Sequence, residues 1–377
     1  MRSFGVEEEF LLVDARTGNH APVAGDLLQA APSAGTASAK AMAKSARGSR
    51  RTSLTAEVQR EQVEAVSAPF TNLQDLDSAL RAGRAEADRQ ASALGARAVA
   101  LGTSPLDVLP HTQGQARYLA MEERFGLILR EQLMCGFHIH VSINSDEEGV
   151  AVLDRIRVWL PMLIALAANS PYWHGQDTGY ASFRYQVWRR WPTAGPTEIF
   201  GSAAAYRNLI DMLLSCNVLL DRAMIYFDAR LSATYPTVEV RVPDVCLKPE
   251  HATAVAAIVR ALVETAAGDW AAGIVPPPVP VEMIRLASWR ASRFGIDDDL
   301  IHPVLNRPLP AEECVGALLA HIGPALEKAG DARVVEAAVR QILTEGTGAR
   351  LQRLAFSRSR KLRDVIMYAA ETTTSGC

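Results

Sequence analysis

The chain has 377 residues, 49% hydrophobic and 21% charged, enough apolar material to bury a sizeable core, and it is taken as one domain over 1–377. A formal net charge of −3, with no long block of one sign, excludes an electrostatic case for nucleic acid or a membrane surface and leaves small charged molecules as the expected ligands. The five cysteines (Cys135, Cys216, Cys246, Cys314 and Cys377) show neither CxxC nor CxxH spacing, which excludes a zinc ribbon or a disulfide framework and fits a reducing cytoplasm.

The opening MRSFGVEEEFLLVD has no basic region followed by an apolar run, so no export signal is expected. It reads as a strand over Val6–Val13. Side chains in a strand alternate between faces, so Glu7 and Glu9 project together, with Phe10 and Leu12 opposite. Glu8 falls on the apolar face and breaks the pattern. The stretch 32–51 is rich in Ala, Ser, Gly, Lys and Arg with almost no large apolar residue; it cannot anchor itself to a core and predicts a flexible surface loop. LTAEVQREQVEAVS then supplies Glu57, Glu61 and Glu64, which share a stripe if helical and divide between faces if extended; both readings stay open.

Helical spacing covers Asn72–Leu94, followed by a strand over Arg97–Leu101. In Phe137–Ile143 the apolar Phe137, Ile139, Val141 and Ile143 alternate with His138, His140, Ser142 and Asn144. A helix follows over Gly149–Asn169, whose apolar stretch Val158–Ala168 falls short of the roughly 20 residues a membrane span needs and reads as buried. A helix over Ala203–Leu214 precedes a third alternating strand, Thr237–Val242, where Val238, Val240 and Val242 oppose Glu239 and Arg241. Helices over His251–Ala266, Ala311–Ala329 and Ala332–Leu343 complete the chain, with a Pro-rich connector at Gly273–Pro280. Strands separated by long, unequal connections argue for an α+β fold.

An ordinary wet strand face mixes Thr, Ser, Lys and Glu, whereas the polar positions here are carboxylates, imidazoles and an arginine. Carboxylate-rich sets with an occasional His suit Mg or Mn, and close carboxylates such as Glu7 and Glu9 are relieved by a cation between them.

GVEEEFLLVD, GFHIHVSI, DTGYASFRYQVWRRWPTAGP, YPTVEVRVPDVCL and GTGARLQR, in this order, resemble the bacterial type 2 glutamate–cysteine ligases, also called carboxylate–amine ligases. The resemblance implies the fold of the glutamine synthetase catalytic domain: a curved, open antiparallel sheet of about six strands with helices on its convex side, and Mg ions with ATP on its concave side. It implies phosphoryl transfer from ATP to a substrate carboxylate, then displacement of phosphate by an amine. Such chemistry needs metals and arginines arranged around phosphoryl oxygens, in keeping with the lack of a GxxxxGK[ST] loop. By the same resemblance Glu7, Glu9, Glu57, Glu64, His138 and Glu239 are metal ligands. His140 faces the substrate, Arg241 and Arg190 meet phosphate, and Arg184 joins them in catalysis and substrate binding through bidentate contact. The expected partners are an amino acid and an amine, with a homodimer as the family's habit.

A guanidino-kinase-type phosphotransferase and a metal-dependent amide hydrolase are the alternatives; the hydrolase leaves Arg184, Arg190 and Arg241 without work. Trp188 and Trp191 read as packing, Arg290, Arg293, Arg350 and Arg353 as solvated helix faces, and Cys135 as a buried thiol.

Overall fold

A computed structural model of the protein describes residues 1–30 and 52–377, so the loop expected over 32–51 lies outside the described residues. The strands expected from alternation form one antiparallel sheet. Strand β1 (Phe4–Asp14) is its longest member; β2 (Thr52–Ala56) and β3 (Gln62–Ser67) form a hairpin on one side of it. On the other side the first half of β1 pairs with β5 (Phe137–Ser142) and the second half with the short β4 (Ala96–Val99). A two-stranded hairpin, β6 (Tyr172–Trp173) with β7 (Gln176–Asp177), stands apart. Beyond β5 the sheet continues through β9 (Thr237–Val240) to the edge strand β8 (Ala229–Leu231), giving seven strands among the described residues in the order β2-β3-β1-β5-β9-β8 with β4 beside β1.

The apolar side chains of the alternating strands all leave from one face. Phe4 and Val6 of β1, Phe137, Ile139 and Val141 of β5, and Val238 and Val240 of β9 are each at most 3% exposed and form the floor of the main core. Each such side chain stabilises by roughly 1.5–3 kcal/mol on burial. The helix Pro249–Ala271 lies on this floor and is itself covered by the helices Asp146–Ile156, Ala311–Ala329 and Ala332–Glu345. Being enclosed on all sides, it is apolar nearly all round. A second core, under Phe10, Leu12 and β4, is closed by the helices Leu73–Ala93 and Leu362–Thr373.

One expected helix divides. Gly149–Asn169 resolves into Asp146–Ile156 and Leu160–Leu166, with Pro161 in the first turn of the second segment. Proline lacks the N–H that a continuous helix would need there and its ring crowds the carbonyl four residues back, so the run breaks before it. All seven residues of the second segment are buried, as the apolar composition required. No helix of the described residues is long and apolar enough to cross a membrane.

Candidate active site

The polar positions of the same strands meet on the face opposite the main core. Glu7 stands directly across from His138, and Glu9 from Glu64, which in turn faces Thr55 on β2. On the other flank His140 pairs with Glu239, and Glu239 with Arg230 on β8. The ambiguous segment 57–64 is therefore extended. Glu57 follows the last residue of β2 and Glu64 sits inside β3, and the hairpin turn between them carries both carboxylates to the same region. Glu61 goes elsewhere, holding the loop at His111 through Oε2 to the His111 N–H at 3.0 Å.

The distances describe two overlapping groups of donors. Glu7, His138 and Glu239 each offer a ligand atom, all within 4.8 Å of one another, and so do Glu9, Glu64 and His138; His138 belongs to both. Its Nδ1 lies 3.4 Å from Glu7 Oε2 and its Nε2 3.7 Å from Glu9 Oε1. His140 Nε2 lies 3.4 Å from Glu7 Oε1, while its Nδ1 is 3.0 Å from Thr237 Oγ1. Glu9 is fixed at its other oxygen by the main-chain N–H of Gly136 at 2.6 Å, and Glu64 accepts the Thr55 hydroxyl at 2.8 Å. Glu239 is bracketed by two arginines: Arg230, whose Nε and NH2 donate at 2.8 and 3.3 Å, and Arg241.

The electrostatics of the band are lopsided. Burial disfavours ionisation of Glu239, but Arg241, Arg230, His140 and His138 outweigh it and hold the carboxyl well below the usual range. Glu7 is likewise depressed, its burial overcome by His140 and by hydrogen bonds from both histidines. On the other flank burial and the charges of Glu9 and Glu7 push the Glu57 carboxyl up to about 8, and burial with Glu7, Glu57 and Glu9 pushes Glu64 well above the carboxylate range. Burial and Arg241 lower His138, favouring the neutral imidazole that can ligate a metal. The band has its arginines at the β8–β9 edge and unrelieved carboxylates at the β1–β3 side. Oxygen-rich donors with one shared imidazole, short of positive charge, fit a hard divalent cation such as Mg or Mn.

The arginines divide. Arg241 reaches the band beside Glu239, its guanidinium 5.5 Å from the Trp188 ring and 5.9 Å from Tyr226, so Trp188 is a rest for this arginine. Arg184, expected to offer its fork to phosphate or carboxylate, is 2% exposed, and its NH1 and NH2 already donate to the carbonyls of Val242 (3.3 Å), Pro243 (3.1 Å) and Arg241 (3.3 Å). Arg190 pairs with Glu131 Oε2 at 2.5 Å and reaches the Val187 carbonyl. Trp191 is buried against Phe125 and Tyr226, and Cys135 is a buried thiol raised by its burial. Arg350 and Arg353, expected as free helix faces, are tied to Asp297 and Asp177.

Sequence reasoning passed over Arg230, which leaves β8 toward Glu239; its signal was the alternation Ala229, Arg230, Leu231 in a strand too short to stand out. It also passed over Tyr118, a half-buried phenol on the helix Ala116–Phe125 whose surroundings include Glu57 and Glu64. Nothing in the local sequence links Tyr118 to the acids.

A sequence model described as glutamate–cysteine ligase family 2 matches residues 3–367. The chain belongs to glutamate–cysteine ligase family 2. A protein of Paenarthrobacter aurescens (strain TC1) named "Putative glutamate--cysteine ligase 2-1" is 49% identical over 373 residues, covering 99% of this chain and 95% of its own length. A Streptomyces coelicolor protein named "Putative glutamate--cysteine ligase 2" is 45% identical, covering 99% of both. Among solved structures, glutamate–cysteine ligase from Francisella tularensis in complex with AMP superimposes with a TM-score of 0.69 at 15% identity, over 99% of this chain and 88% of that one. A bifunctional glutathione synthetase from Pasteurella multocida gives 0.67 at 15% identity, over 99% of this chain and 52% of that one. At this identity the structural likeness speaks for the fold, an open antiparallel sheet with helices, and it agrees with the α+β expectation. The family makes the chain a ligase of the glutamate–cysteine ligase type and does not favour the phosphotransferase or hydrolase alternatives.

Proposed function

We propose that this family member joins a carboxylate, glutamate or a close analogue, to an amine in two steps driven by ATP, in the cytoplasm. In the first step a substrate carboxylate oxygen forms a bond to the γ-phosphorus and the bond to the β-bridging oxygen breaks, releasing ADP. In the second the amine nitrogen forms a bond to the acyl carbon, the C–O bond to phosphate breaks, and the amine gives up a proton. Bound Mg or Mn would draw charge from phosphoryl oxygens and screen them from the attacking carboxylate.

The chain's own residues support this division of labour. Glu7, His138 and Glu239 on one side and Glu9, Glu64 and His138 on the other are the proposed cation ligands, with Glu57 next to the second group. Arg241, packed on Trp188 and Tyr226 beside Glu239, would stabilise the negative charge of a phosphoryl group bound with those cations. His140, fixed by Thr237 and Glu7, borders the same space and is assigned to substrate contact. Arg190 is given no part in the reacting centre, its NH1 being engaged by Glu131. That an AMP complex exists for the Francisella tularensis ligase supports a nucleotide as co-substrate here.

The observation that carries the proposal is the convergence of donors from β1, β3, β5 and β9 on one sheet face with His138 shared between them. Its test is ADP and phosphate release with glutamate in the presence and absence of an amine panel that includes cysteine. One ADP per amide formed is expected; amide cleavage without ATP, or no ADP with any pairing, contradicts it.

A further inference from the structure

We infer that Arg184 and Gly136 form an internal prop that fixes Glu9 and His138 for the cation, which makes Arg184 a positioning residue rather than a ligand of phosphate or substrate. The inference rests on the metal reading given above.

The prop is built where β5 and β9 begin and end. The main chain of Gly136 makes two bonds to one residue of β1: its N–H donates to Glu9 Oε2 at 2.6 Å, and its carbonyl accepts the Glu9 N–H at 3.2 Å. With Oε2 occupied, Glu9 is left with Oε1 facing His138 Nε2 at 3.7 Å, the side on which Glu64 also lies. Gly136 has no side chain, and no space exists for one. A Cβ there would overlap the Arg184 guanidinium and come within 3.1 Å of His138 Nε2. The guanidinium thus fills the space that a side chain at Gly136 would need, next to His138.

Arg184 is held in that space from both ends. Its fork donates to the carbonyls of Arg241, Val242 and Pro243, the residues that follow Glu239, and Pro243 also accepts the Phe137 N–H at 3.0 Å. A single planar group therefore ties the exit of β9 to the entry of β5. Its main-chain N–H donates to the Ser170 hydroxyl at 2.9 Å. That hydroxyl in turn donates to Asp244 Oδ2 at 2.6 Å, and the Ser182 hydroxyl donates to Asp244 Oδ1 at 2.9 Å. Asp244, 1% exposed, locks the segment that carries Arg184 to the end of β9. NH1 and NH2 donate to three main-chain carbonyls at the end of β9 and the side chain is 2% exposed, so the guanidinium is committed to the backbone rather than presented to an anion; its Nε makes no hydrogen bond among the described residues. Partners of this kind orient metal ligands, and their loss costs about 10–100-fold in metal affinity.

The test separates metal positioning from phosphate binding. Mn(II) alone, without nucleotide, is titrated into the full-length wild type, Arg184→Lys, Gly136→Ala and Ser182→Ala, followed by calorimetry and by the electron paramagnetic resonance spectrum of the bound ion. Circular dichroism and thermal melts select folded variants. Arg184→Lys keeps the charge but loses the fork, and Ser182→Ala removes one bond to Asp244, so either carries the test where Gly136→Ala does not fold. The expected result is at least about tenfold weaker Mn(II) binding in Arg184→Lys with an altered spectrum, a smaller loss in Ser182→Ala, and a KM for ATP at saturating Mn(II) within about twofold of wild type. Unchanged Mn(II) affinity in folded Arg184→Lys with a raised KM for ATP would make Arg184 a phosphate ligand and overturn the inference. Failure of the wild type itself to bind Mn(II) would instead overturn the metal reading, and the prop with it.

Discussion

Strand β1 sends acids to both faces of the sheet, and the two faces treat them differently. On the core side Glu8 is 2% exposed and meets Arg84, itself fully buried, whose NH2 and Nε donate to the two carboxylate oxygens at 2.6 and 3.1 Å. The remaining guanidinium N–H groups go to the carbonyls of Cys246 (2.7 Å), Leu247 (3.0 Å) and Thr373 (3.3 Å). That charge is closed inside the protein. On the other face Glu7 and Glu9 join Glu57 and Glu64, and the histidines and arginines at hand satisfy only part of the set, leaving Glu57 and Glu64 raised. Adjacent glutamates are structural where the chain supplies the counter-charge and ligand-seeking where it does not.

The largest expected break in this contrast is catalytic. His138→Ala or Glu239→Ala should lower ADP formation by at least about 10²-fold while the far-ultraviolet circular dichroism is retained; full activity of both variants at low Mg would remove the band from the chemistry. Next comes stability. Arg84→Ala strands a buried carboxylate and should cost about 3–5 kcal/mol in urea denaturation. Glu64→Gln removes a carboxyl whose ionisation is disfavoured by its burial and by Glu7, Glu57 and Glu9, so without metal it should change stability by no more than about 0.5 kcal/mol. The same variant should lose much of the thermal upshift that Mn(II) gives the wild type. A cost for Glu64→Gln equal to that of Arg84→Ala would erase the distinction between the faces.

A further break is in pH. The Glu57 carboxyl titrates at about 8 in the folded protein against 4.5 as the ordinary value, so between those limits the folded chain holds a proton that the unfolded chain has lost. Its contribution to the stability of the metal-free protein is present below pH 4.5 and fades as pH rises through about 8. Melts at stepped pH should show the metal-free protein losing stability across this window, with Glu57→Gln flattening the loss. A steeper loss in the variant would place the titrating group elsewhere.

Much of this was legible in the sequence because period-two alternation is local. It placed Glu7, Glu9, His138 and Glu239 on polar strand faces, and the register then brought them together. The segment around Glu57 and Glu64 stayed open because its acids fit both a helix and a hairpin, and only pairing with β1 decides for the hairpin. Glu8 looked like a flaw in the pattern; its partner Arg84 is 76 residues away on the helix Leu73–Ala93. Arg184 and Arg190 looked alike in sequence. Their difference lies in what each meets in three dimensions, carbonyls at the end of β9 for one and Glu131 for the other.

The most direct measurement is a calorimetric Mn(II) titration of the wild type beside His138→Ala, because His138 belongs to both groups of donors. Two ions bound per wild-type chain, and loss of tight binding at both positions in the variant, is the result the shared imidazole requires. Equal stoichiometry and affinity in the two proteins would contradict it.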